Sequence, residues 1–127
     1  MATRQVFTAS QVLTAAEQNA LATAMIAINA QTGTTYTTVL SDDGKLITCS
    51  NAASISVTVP PNSSVAYGIG TQLNFAQLGV GQVTLVAGAG VTLNSAGAKL
   101  KLGAQYAVAT CVKTDTNTWF VVGNLSA

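Results

Sequence analysis

The sequence predicts a mainly β chain: an antiparallel, jelly-roll-like β-sandwich preceded by an N-terminal arm and one α-helix. Three observations carry that prediction. Ile55, Val57 and Val59 alternate with Ser54, Ser56 and Thr58, the period of a strand with one buried face. Further alternation follows at Leu73/Phe75, Val83/Leu85, Val91/Leu93 and Leu100/Leu102, with two-faced runs over 106–112 and 119–122. Turn clusters separate these segments at spacings of about 8–12 residues, which is the rhythm of a sandwich or barrel with roughly eight or nine strands.

In chain order, residues 1–13 come first. They show no sustained period and read as an arm, with Val6, Phe7, Val12 and Leu13 as its large apolar groups. The stretch from Thr14 to Ala30, TAAEQNALATAMIAINA, has no Gly or Pro and opens with the capping-box pair Thr14 and Glu17. Leu21, Met25 and Ile28 fall on one helical face, flanked by Ala20, Ala24 and Ala27, with Gly33 as the expected C-cap. A helix of about four to five turns is marginal alone, so its stripe needs a cover. Residues 1–33 are thus expected to form an attachment arm and helix, and 34–127 the β-domain.

Within 34–127 the turn signals are chemically specific. Pro60-Pro61-Asn62-Ser63-Ser64 stops the clearest strand. Ser41-Asp42-Asp43-Gly44 reads as a solvated turn with Gly44 at positive φ, and Asp115-Thr116-Asn117 as a hairpin tip. The segments GVGQVTLVAG and GAGVTLNSAG share a rhythm, but two copies suggest a meander or hairpin rather than a solenoid. Adjacent residues on a strand face opposite ways, so one ring of Trp119 and Phe120 belongs to the core and the other does not.

Composition excludes more than it selects. The chain is 49% hydrophobic and 7% charged, with five Lys or Arg, four Asp or Glu and no His. A typical domain is about 25% charged. No basic stripe is present for a nucleic-acid backbone. No apolar run approaches the roughly 18 residues of a membrane span. Without His, Ser–His and Cys–His nucleophiles are impossible, and the scattered carboxylates suggest no acid–base pair. Asp42-Asp43 lacks calcium-loop spacing, and no glycine pattern matches a phosphate loop. The expectation is therefore no enzyme, no cofactor, no metal, no nucleic acid and no membrane. Cys49 and Cys111 sit in apparent strands and read as buried thiols; a disulfide is the alternative.

Two blocks carry a resemblance to virion proteins of tailed bacteriophages, of the fibre and decoration type. VFTASQVLTAAEQNAL at 6–21 is similar to a segment by which phage appendage proteins attach to the particle. The block from Asn51 to Leu102, with NTWFVVGNLSA at 117–127, resembles a C-terminal module of tail-fibre and appendage proteins. Many relatives carry a long shaft or enzymatic region; here the two blocks are almost fused. The resemblance implies a structural protein in the virion, assembled in the host cytoplasm, with a homotrimeric habit. Its expected partners are copies of itself and capsid or other virion proteins. The expected role is decorating or cementing the capsid, or forming a short head fibre. Alternatives are a tail-fibre receptor-binding module, which would add a host-surface glycan as partner, and a lectin or carbohydrate-active protein. Val6, Phe7, Val12, Leu13, Leu21, Met25 and Ile28 are the expected attachment and oligomer contacts.

Overall fold

In a computed structural model, which describes residues 27–127 and Ala15, the alternating segments become strands of two mixed sheets. Strand accounts for 48% and helical turns for 7%, with no helix of seven residues or more among the described residues, so the chain is mainly β. No helix there is long and apolar enough to cross a membrane. The strands are β1 (Ile28–Gln31), β2 (Thr35–Thr37), β3 (Leu46–Cys49), β4 (Ile55–Val59), β5 (Gln72–Gln77), β6 (Val83–Ala87), β7 (Thr92–Ser95), β8 (Lys101–Leu102), β9 (Val108–Asp115), β10 (Thr118–Gly123) and β11 (Leu125–Ser126). The first sheet has the order β1-β3-β5-β9-β10-β7, and the second β11-β8-β6-β4-β2.

The expected antiparallel arrangement is corrected. β1–β3, β3–β5, β2–β4, β4–β6 and β7–β10 pair in parallel. Only β5–β9, β9–β10, β6–β8 and β8–β11 are antiparallel. From β1 to β6 each turn carries the chain across to the other sheet rather than back along its own, so successive circuits stack. Alternation within a strand reports which face is buried; it does not report which strand lies alongside. The two Gly-flanked segments are not a hairpin either. β6 lies in the second sheet and β7 in the first.

The corners of the stack explain the glycines between β5 and β6. Ser50 N donates to Gln31 O, Leu78 N to Cys49 O and Gly81 N to Asn51 O, so each corner rests on the one before. A Cβ at Gly81 would lie 1.9 Å from the Ala53 carbonyl oxygen, and one at Gly79 2.6 Å from that of Asn51. The contact is between backbones, and a side chain has no room there.

The helical expectation holds at Ala15 and fails over its last residues. Ile28–Gln31 is strand β1, paired residue for residue with Leu46–Cys49, and Leu46 N donates to Ala27 O at 2.9 Å. Pairing with a sheet edge overrides the helical preference of an Ala-rich run. Gly33 lies in the β1–β2 connection, not at a helix end. The remainder of the expected helix, 14–26, lies outside the described residues apart from Ala15.

One apolar core joins both sheets. Ile47, Phe75, Cys111 and Trp119 come from the first sheet, and Ile55, Val57, Val59, Val83 and Leu85 from the second. Ile55, Val57 and Val59 are at most 1% exposed, as the alternation requires. Cys49 and Cys111 are buried free thiols.

Candidate interaction surface

The two sheets have different exteriors, although both alternate. On the second sheet one outward row is Thr35–Ser56–Thr84–Lys101–Ser126, and another, Thr37–Thr58–Val86, ends on an exposed valine. Hydroxyls and a lysine ammonium suit water. The first sheet instead sets Ile28, Leu46, Asn74, Thr110 and Val122 in one row. A second row runs Ala30–Thr48–Ala76–Val108, and a third Gln72–Val112–Phe120–Asn94. None of these residues is charged. The polar members satisfy one another: Thr110 Oγ1 donates to Asn74 Oδ1 at 2.9 Å, and Gln72 Nε2 to the same oxygen at 3.1 Å.

This exterior is unevenly exposed. Phe120 is 53% exposed, Val108 46% and Val122 44%, all on β9 and β10. Thr48 and Ala76 are buried, at 8% and 5%. Trp119, one residue from Phe120, is buried, which assigns the two rings. Of the expected contact residues only Ile28 is described. It is 61% exposed at the rim of this face. Val6, Phe7, Val12, Leu13, Leu21 and Met25 lie outside the described residues.

Two buried polar clusters brace the ends of the core, and the sequence revealed neither. Asp42 is not in a solvated turn; it is fully buried. Its Oδ1 accepts from Asn29 Nδ2 at 2.8 Å, and its Oδ2 from the Tyr36 hydroxyl at 2.5 Å and from Val39 N at 2.9 Å. Burial, then the bond to Asp42, raises the Tyr36 pKa. Asp43 is also buried, and Gly44 does adopt the expected positive φ. The carboxylate of Asp42 thus ties β1, β2 and the following turn together, which is a structural task.

Lys113 is the second cluster. Its Nζ donates to Asn62 Oδ1 and to Tyr67 O, both at 2.8 Å, and lies 6.0 Å from the Trp119 ring centre. Trp119 in turn meets Tyr67 edge-on at 5.5 Å. Burial pushes the Lys113 pKa down. The ammonium pins the Pro60–Tyr67 loop to β9. Among the described residues no three of His, Cys, Asp and Glu gather into a metal-holding group. Asp115 is exposed at the β9–β10 tip, as expected.

No family model, curated protein or solved structure matches the chain.

Proposed function

We propose that this chain is a non-enzymatic structural protein of a tailed-phage virion. It decorates or cements the capsid, or forms a short head fibre, and it works as a homotrimer. The resemblance of the blocks at 6–21 and 51–102 supports this reading. So does the fold, taken as a β-sandwich whose two sheets share one core. The observation that carries most weight is the contrast between exteriors: mainly hydroxyls with a lysine on one sheet, and on the other an uncharged face of apolar and neutral polar groups. An apolar core with neutral polar groups around it is the make-up of permanent protein contacts. A module present in many copies gains further from multivalency.

Copy number tests the assignment. Purified virions are run on a gel and the band is compared with the major capsid protein. Hundreds of copies place the protein on the head. A few to a few tens replace the head reading with the tail-fibre one. Absence from virions ends both.

A further inference from the structure

We infer that the exterior of the first sheet is where a second copy of this chain docks. The inference deepens the reading above and rests on its self-association, but it moves the contact. The sequence pointed to the stripe Leu21, Met25 and Ile28; the structure offers instead a face centred on Phe120.

Charge selects the occupant. The face carries no ion, so a basic or acidic partner gains nothing there. Every charged side chain moved onto it would lose water without finding a counter-charge. A second copy brings the same uncharged face. Exposure agrees with charge. Phe120, Val108 and Val122 lie together on this surface, each about half exposed. The same apolar patch on two copies can meet, whether the contact closes as a pair or continues head-to-tail around a ring.

The size is adequate. Six strands span about 24 Å and five residues along each about 17 Å, a flat projection of about 400 Å². Accessible surface exceeds projection, which brings the face toward the roughly 800 Å² per partner of a stable interface. Its centre is an exposed aromatic ring, the residue class that dominates binding energy at such centres.

The experiment uses the full chain. Light scattering at micromolar concentration should give a multiple of 12.8 kDa. Phe120→Asp and Val122→Asp should each weaken association by about a hundredfold or more, giving monomer at the same concentration. Val80→Asp, in the exposed β5–β6 turn, should leave the mass unchanged. The near-ultraviolet dichroism of Trp119 reports whether a variant is folded, and Phe120→Ser provides a milder change should Phe120→Asp unfold. A wild-type oligomer unaltered by folded Phe120 and Val122 variants overturns this inference and leaves the homotrimer standing. A wild-type monomer removes both.

Discussion

Gly81→Ala should be among the most damaging small substitutions in the chain, because it tests the stacking of the circuits directly. Gly81 does not adopt a positive φ, so conformational strain is not the cause. The added methyl would lie 1.9 Å from Ala53 O, 2.5 Å from Ala53 C and 2.6 Å from Asn51 O. A carbon next to a carbonyl oxygen settles at about 3.3 Å, so the corner must lift by about 1.4 Å. That breaks the bond from Gly81 N to Asn51 O, now 2.9 Å, and strains its neighbour from Ile55 N to Gln82 O. Gly81 is buried, so its orphaned N–H costs about 1–3 kcal/mol, and the loosened neighbour about 1 more. The expected loss is about 2–4 kcal/mol, a large part of the 5–15 kcal/mol that holds a typical domain together. Gly90→Ala is the control. Nothing lies within 4 Å of its Cβ, but its φ is +76°, so only backbone strain of about 1–2 kcal/mol applies. Urea titrations followed by Trp119 fluorescence give both values. If Gly81→Ala costs no more than Gly90→Ala, successive corners do not rest on one another and the parallel topology is wrong.

Three further outcomes follow from the core and its titrating groups. Val57→Asp should cost several kcal/mol by burying an unpaired carboxylate, and Ser56→Asp should stay within about 0.5 kcal/mol; equal melting shifts would mean the faces of β4 are reversed. Thr71 Oγ1 is buried without a hydrogen-bond partner, so Thr71→Val should stabilise by about 1 kcal/mol in the same titration; a loss would show that the hydroxyl is satisfied. Burial pushes the thiols of Cys49 and Cys111 up from 9.0 to about 11 and about 12, and the Tyr67 hydroxyl up from 10.0 to about 12. Tyr36 rises as well. These folded values exceed the unfolded ones, so their stabilisation is complete below pH 9 and drains away as pH climbs through 11 and 12. Lys113, held below 10.5, acts in the opposite sense, one group against four. By pH 11 the two thiols alone should remove on the order of 4 kcal/mol, and a melting temperature flat from pH 8 to 11 would refute it.

The legible parts of this fold are those governed by neighbours in sequence. The alternation at 55–59 identified β4 and its buried face, and Asp115-Thr116-Asn117 identified a true hairpin tip. What escaped depends on partners far along the chain. Ile28–Gln31 is a strand because Leu46–Cys49 lies beside it, not because its residues prefer one. Asp42 is buried because Asn29 and Tyr36 arrive from other elements. Lys113 is buried because Asn62 and the Tyr67 carbonyl, about fifty residues earlier in the chain, meet its ammonium. The outer face of the first sheet was half legible. Trp119 and Phe120 had to diverge, but the rows that gather Phe120, Val112 and Ile28 onto one neutral surface exist only in the register.

The stacked circuits give the molecule a direction of growth. At one side the pairing turns antiparallel through β8, β9 and β11, the β9–β10 hairpin turns the chain back on itself, and β7 and β11 are the edge strands. At the other, among the described residues, β1 and β2 each have a neighbour on one side only. A further circuit spliced in ahead of Ile28 would meet parallel edges of the same spacing and could continue both sheets without repacking Trp119, Phe75 or Val57. Stability in such an array accrues circuit by circuit, each depending on the next alone. The number of circuits is therefore a quantity that evolution or an engineer can vary in such an array.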